Sequence, residues 1–304
     1  MFIRKLSRPI KHVRFMNRIT MGLARAAATS GLRQIDERHP NSWEFCALSQ
    51  SGEDGIIDFL TRKILRPNSY FIEIGSGDGM ENNTSWLAIA RRFSGLMVEG
   101  NPKTYNWCRD LITPLNSGVE TLCLFVNREN QATIQSRALH KDPDVFSLDV
   151  DFSDYFLAEG LFEAGFRPKI SVVEFNSAFG PDRAISVKLR QDAAAALLHH
   201  RLYYGCSIEG WKRLFRRFGY RFLTVESNGQ NAFFIDPQVF DSEFVQSLRG
   251  LEFRENVFHA RELHLDWSKQ FELIKDMDFF EIPERTGIQS ETNEGAVPIP
   301  SNTL

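Results

Sequence analysis

The sequence predicts an α/β fold: a mostly parallel sheet with helices on both faces, closed by a terminal antiparallel hairpin. Three observations predict it. Short apolar runs alternate with helix-period segments between residues 69 and 175. A glycine-rich turn, Gly75-Ser-Gly-Asp-Gly79, stops the first of those runs. The pair Asn228-Gly229 separates the last two runs, and such a pair is a hairpin signal because both residues tolerate positive φ.

The elements follow in order. Ser51 to Ile64 reads as a helix, with Ser51 as its cap, acids in the first turn and bases in the last. Ser69 to Ile74 is a short apolar strand ending at the glycine turn. Helical sequence from about Asn82 to Arg91 leads to a second strand, Gly95 to Val98, so that strand, turn, helix and strand make a right-handed βαβ unit. The alternation continues through Lys103 to Leu111 (helix), Glu120 to Val126 and Asp144 to Val150 (strands), Ser153 to Ala164 (helix) and Lys169 to Phe175 (strand). Ser207 caps a helix reaching Phe218, and Tyr220 to Glu226 and Asn231 to Ile235 form the hairpin. Residues 41–283 read as one compact unit, preceded by a basic extension over residues 1–40 and followed by a polar tail over 284–304. Phe215, Phe218 and Phe222, among 26 phenylalanines, fall at core spacing.

Charge separates the extension from the rest. The chain of 304 residues carries a formal charge of -3, yet residues 1–35 hold eight Lys or Arg and no acid, leaving -11 on the remainder. An acidic body argues against nucleic acid as a partner, since that binding needs a basic face to displace counterions. In the leader, Phe2, Ile3, Leu6, Ile10, Val13, Met16, Ile19 and Leu23 recur at helical spacing among the bases. Three readings stay open for this amphipathic helix: a peripheral membrane contact, docking on a protein partner or on its own domain, and an organellar transit peptide. No run is long and apolar enough to span a bilayer, and a cytoplasmic location is expected, with peripheral membrane association as the variant. Cys46, Cys108, Cys123 and Cys206 are too widely spaced for a metal knuckle or a disulfide framework, and the adjacent His199-His200 pair diverges on a helix, so no metal site is expected.

The stretch Glu73-Ile-Gly75-Ser-Gly77-Asp78-Gly79 sits at the carboxyl end of the first strand, where open α/β sheets bind ligands. A dinucleotide fingerprint requires G-x-G-x-x-G, but Met80 occupies its last position, which favours a ligand lacking a pyrophosphate. Glu99 ends the second strand, 20 residues after Gly79, where a carboxylate can accept both hydroxyls of a ribose.

These residues, with Val98-Glu-Gly-Asn-Pro102, resemble the Rossmann-like S-adenosylmethionine-dependent methyltransferases, and within them the FkbM-type branch. Ser49-Gln-Ser-Gly-Glu-Asp-Gly-Ile-Ile57, Glu81-Asn-Asn-Thr84, Leu148-Asp-Val-Asp151, Val173-Glu-Phe-Asn176 and Glu226-Ser-Asn-Gly-Gln-Asn-Ala-Phe-Phe234 extend the likeness over about residues 48–236. The resemblance implies S-adenosylmethionine as cofactor, lying over the glycine turn. Glu73 would orient its methionine end, Gly75, Gly77, Asp78 and Gly79 would form the turn beneath it, Glu99 would hold the ribose, and Asn127 is a weaker candidate for the adenine edge. It also implies transfer of a methyl group to a hydroxyl of a sugar, glycan or secondary metabolite.

Strand-end carboxylates are the natural bases for such a transfer. Asp149, Asp151 and Asp154 cluster near the end of the fourth strand, and Glu174 with Asn176 ends the fifth, with Asp149 and Asp151 sharing one strand face. Asp151 or Glu174 is expected to act as base or acceptor orienter, against the alternative that these acids only cap helices or pair with Arg183. Arg183, Lys188 and Arg190 could meet an anionic acceptor or form a solvated charged face. Beside the enzyme stands a second reading, a non-catalytic binding or adaptor protein that keeps the donor-binding fold and is recruited by its N-terminal helix. A nicotinamide enzyme is disfavoured by the glycine spacing and the final hairpin.

Overall fold

A computed structural model describes residues 16, 17, 20–28, 33–150, 153–188 and 201–284. Most of the basic leader, Asp151, Arg190, the His199-His200 pair and the tail beyond 284 lie outside the described residues.

The strands are β1 (Tyr70–Ile74), β2 (Ser94–Glu99), β3 (Val119–Cys123), β4 (Val145–Leu148), β5 (Ile170–Glu174), β6 (Ile185–Val187), β7 (Arg221–Val225), β8 (Asn231–Ile235) and β9 (Phe279–Glu281). Seven of them form one sheet in the order β3-β2-β1-β4-β5-β8-β7. The first five are mutually parallel, and β8 runs antiparallel to both β5 and β7. The chain thus enters at β1, moves outward to β3, and returns to β4 on the other side of β1. That reversal opens a crevice at the carboxyl ends of β1 and β4, the topological switch point at which open α/β sheets take ligands. The doubly wound, Rossmann-like sheet with its final hairpin is the architecture expected from the alternation and from Asn228-Gly229, where Gly229 supplies a φ of 74°.

Helices α1 (Glu53–Lys63), α2 (Ser85–Ile89), α3 (Pro102–Leu115), α4 (Ala132–Arg137), α5 (Asp154–Glu163) and α6 (Ile208–Arg217) cover the sheet. Strand alternation divides β1 between two cores. Tyr70, Ile72 and Ile74 pack with Leu157 and Leu161 of α5 and Trp211 and Phe215 of α6. Phe71 packs on the opposite face with Ile56 and Leu60 of α1, Leu87 of α2 and Leu111 of α3. Phe215 is buried and stacks on Phe234 at a centroid distance of 4.0 Å, while Phe218 and Phe222 pack at the margin of the same core. Among the described residues no helix is long and apolar enough to cross a membrane.

Two local expectations are corrected, and a second sheet is added that the alternation does not predict. The N-cap of α1 is Gly52, not Ser51, and the buried donors ahead of the helix go to an acid of its first turn: Asp54 accepts from the amides of Ala47, Leu48 and Ser49 at 2.7, 2.7 and 2.9 Å. Ser51 uses its hydroxyl on Gln230 instead. Next, β4 ends at Leu148, so the strand alternation that was to align Asp149 with Asp151 does not reach them. Lastly, β6 pairs with β9 in a second, two-stranded sheet. With helices α7 (Ser242–Ser247), α8 (Val257–Leu263) and α9 (Trp267–Glu272), this polar and aromatic stretch carries no long periodic signal. Its satellite core joins Phe179, Ile185, Val187, Leu202, Tyr203 and Ile274. Ser207 does cap α6, accepting from the amide of Gly210.

Candidate functional site

The crevice is built on the turn after β1. The amides of Gly75 and Ser76 donate to the carbonyl of Val98 at 2.9 and 3.0 Å, which ties the turn to β2. Gly75 has a φ of 92°, and a Cβ placed on it would lie 1.6 Å from the carbonyl oxygen of Asp149, so here only hydrogen fits between the ends of β1 and β4. Gly77, at φ 55°, faces open space: a Cβ there would meet nothing within 4 Å. The bare backbone of Gly77 is therefore accessible, whereas Gly79 packs against Cys108 and Ile112 of α3. Asp78 accepts from the amide of Met80 and shapes the same turn.

Glu99, at the end of β2, bridges two loops. One carboxylate oxygen accepts from the Gly77 amide at 3.0 Å, and the other accepts from the Asn101 amide at 2.6 Å. An ionised carboxylate has about four acceptor positions, so two amides leave capacity for further donors. Next to it Phe125 exposes 71% of its surface and packs against Gly100. Phe125 falls inside the strand expected over Glu120 to Val126, and only the observed end of β3 at Cys123 sets it apart as a site residue. Asn127 itself is engaged in its own turn, its side-chain oxygen accepting from the amides of Glu129 and Asn130.

On the other side of the turn Glu73 points into the α1–α2 face of β1. It is almost fully buried and accepts from the Asn83 amide at 2.8 Å and the Thr84 hydroxyl at 2.6 Å, bracing the segment that leads into α2. Burial raises its carboxyl from 4.5 to about 7, with the hydrogen bonds opposing. The folded state thus holds a proton that the unfolded chain releases, and stability falls as pH rises from about 4.5 to about 7. Burial and the nearby Glu53 also push the carboxyl of Glu226, just past β7, upward, which adds to the same slope. We expect Glu73→Gln to remove about 2 kcal/mol of the stability difference between pH 5.5 and pH 8. Melting temperatures at the two pH values check this; an unchanged slope in the variant would show that Glu73 does not titrate there.

Glu73 and Gly75 form one wall of a polar pocket completed by Glu53, Asp149, Glu174 and Asn231, with Gln50, Glu81, Asn82, Asn83 and Gln230 also lining it. Five elements converge: α1, the ends of β1 and β4, the end of β5 and the start of β8, where Glu174 and Asn231 are register partners. The structure brings Glu174 to this pocket together with Asp149. Asp154 turns away, accepting from the Val150 amide at 2.8 Å. Asn176 is fully buried, its amide donating to the carbonyls of Leu202 and Tyr204. Arg183 donates to the Phe179 carbonyl and lies 3.9 Å above the Phe271 ring, and Lys188 pairs with Asp278 at 2.9 Å, so both serve the satellite module.

Gln50, Glu53 and Asn231 were missed as site residues. The polar density of Ser49 to Asp54 just ahead of an apolar helix was the available signal, but it reads equally as capping. Distant segments combine here. Glu53 accepts from the Asn231 side-chain amide at 2.9 Å, the Asn228 amide donates to Ser51, and Gln230 donates to Gln50. Glu44 accepts from Asn41 and from both the amide and the hydroxyl of Ser227. The hairpin turn is thereby tied across the pocket rim to residues 41–53.

No family model matches the chain, and no curated protein matches it. Among solved structures it is similar to the O-methyltransferase TomG of Streptomyces achromogenes, in complex with S-adenosylmethionine (SAM). Identity is 16% over 71% of this chain and 95% of that one, with a TM-score of 0.42. It is similar also to Aeropyrum pernix fibrillarin with natively bound S-adenosyl-L-methionine, at 9% identity, 61% and 77% coverage and a TM-score of 0.37. A third is the METTL16 MTase domain, at 11% identity and a TM-score of 0.32, covering 40% of this chain and spanning about half (51%) of that one. Identities this low speak to architecture alone; the strand order above carries the fold.

Proposed function

We propose that the protein is a SAM-dependent methyltransferase that methylates a hydroxyl of a sugar, glycan or secondary metabolite, in the manner of the FkbM-type branch it resembles. The observation that carries the reading is the geometry of the first two strand ends. The bare, accessible backbone of Gly77 is hydrogen-bonded to Glu99, whose carboxylate has spare acceptor capacity, beside the exposed ring of Phe125. These residues fit a nucleoside: Glu99 for the ribose hydroxyls, Phe125 as an apolar platform for the base, and Gly75 to Gly79 for close backbone approach. Asn127 would face the base edge.

When bound, the cofactor supplies an electrophilic methyl group. The chain's own residues have three tasks. Glu99 and the glycine turn fix the donor's orientation. The strand-end pocket holds the acceptor hydroxyl in line with it, since alignment dominates such a displacement. A carboxylate takes the hydroxyl proton, and Glu174, which lines the pocket, is our first candidate, with Asp151 beyond Asp149 as the second. Glu73 holds the 82–84 segment that lines the donor side.

Isothermal titration with SAM and with its demethylated product tests the reading. Both should bind, and Glu99→Ala should weaken both by about 10- to 100-fold, the worth of charge-assisted hydrogen bonds of roughly 1.5–3 kcal/mol. Binding of neither ligand to the unaltered chain would falsify the assignment. Deletion of residues 1–35, proposed to govern membrane or partner association, should leave donor affinity unchanged.

A further inference from the structure

The strand-end pocket has an unusual donor and acceptor balance. Glu53, Glu81, Asp149 and Glu174 line it with Glu73, and among its described lining residues there is no Lys, Arg or His. The amides that line it point N–H groups at protein acceptors: Asn82 at the Ser76 carbonyl, Asn83 at the Ser147 hydroxyl, Gln230 at Gln50 and Asn231 at Glu53. Carboxylates are the only ionisable groups among these described lining side chains, and four of the five lining amides commit an N–H elsewhere.

Asn231 gives a second, independent sign. Only 8% of it is exposed, and its side-chain oxygen has no hydrogen-bond partner among the described residues. Its orientation is set by chemistry. Glu53 accepts from the Ser51 amide with one oxygen and from the Asn231 NH2 with the other, and a carboxylate cannot donate in return. Asn231 must give its NH2 to Glu53, which leaves its oxygen over. An unmet acceptor at this depth destabilises the fold unless a ligand donates to it.

We propose that the pocket takes an acceptor carrying a protonated amino group close to its reacting hydroxyl, an amino alcohol or amino sugar in chemical class, with the Asn231 oxygen receiving one ammonium N–H. An ammonium is donor-only and cationic, complementary to a wall rich in carboxylates and to the unmet Asn231 oxygen. An anionic acceptor would face like charge in a confined space.

The assignment rests on the methyltransferase reading for the reaction but not for the binding, which can be measured without donor. Matched probes separate the classes: glucosamine, glucose and glucuronate as one triplet, and ethanolamine, ethylene glycol and glycolate as another. Their affinities for the full chain are read by ligand-observed NMR at pH 7. The amine of each triplet should bind at least tenfold more tightly than its neutral analogue, and the acid should show no binding. Equal or tighter binding of the neutral or acidic member, or no binding by either amine, overturns the proposal. Asn231→Ala should weaken amine binding about tenfold while SAM-product affinity stays within twofold. An equal loss of both would place Asn231 with the donor and overturn its assigned role. The ranking is measured on the unaltered chain, so it stands whether or not the variant folds. Absence of SAM binding alongside amine selectivity would sink the enzyme reading alone.

Discussion

Gly75→Ala should abolish the donor turn and unfold a large fraction of the protein, because the added methyl would sit 1.6 Å from the Asp149 carbonyl oxygen at a φ of 92°. Neither problem can relax locally. The carbonyl belongs to the backbone leaving β4, and the Asp149 amide donates to the Ile74 carbonyl at 3.0 Å, so moving Asp149 breaks the β1–β4 ladder. The backbone cost alone is about 1–2 kcal/mol, and forcing β1 from β4 adds overpacking of about 1–3 kcal/mol. Gly77→Ala is the control. Its Cβ meets nothing, so only the backbone term of about 1–2 kcal/mol applies, and the variant should fold. Urea denaturation of the two variants checks the contrast. Equal loss of stability would show that the β1–β4 approach is less tight than described.

Asp144→Ala should cost about 3–5 kcal/mol, comparable to the whole stability of many domains. Asp144 is fully buried at the entry to β4, where it accepts from Lys169 at 2.7 Å and from the amides of Asn68 and Ser69 at 3.0 and 2.8 Å. Its removal leaves the ammonium of Lys169, whose side chain is 6% exposed, with the more exposed carboxylate of Asp142 at 3.9 Å as its remaining ion-pair partner among the described residues. It also frees Ser69, which is held at a φ of 53°, unfavourable for a residue with a side chain. The double variant Asp144→Ala/Lys169→Met should recover part of the loss, since much of it is the cost of a stranded charge. Denaturant midpoints of the single and double variants decide; a double variant as unstable as the single one would place the cost in the Ser69 turn instead.

These two sites differ in how far the sequence discloses them. Gly75 stands out in a strand-stop glycine run, and the reason to expect a ligand there is legible: a turn at the carboxyl end of a strand, followed by an acid after the next strand. Asp144 was absorbed into a strand, because nothing local says that its partner lies 25 positions along the chain. The same distinction runs through the pocket. Glu73, Glu99 and Glu174 are found by their place at strand ends, which depends only on short-range alternation. Glu53 and Asn231, 178 positions apart, acquire their relation only when β8 lies beside β5 and α1 packs over it.

What the sequence determined by itself is the alternating order of strands and helices, the glycine turn, the carboxylate after β2, the final hairpin and the separation of a basic leader from an acidic body. Each is written in local periodicity, turn chemistry or charge, which neighbouring residues decide among themselves. The tertiary structure alone decided that β4 stops short of Asp149, that a satellite sheet of β6 and β9 joins segments almost a hundred residues apart, and that residues 41–53 tie the hairpin over the pocket. It also decided which acids line that pocket and which merely cap turns. Those outcomes depend on contacts between residues far apart in the chain, where burial and the need to satisfy each buried donor and acceptor select one pairing from many.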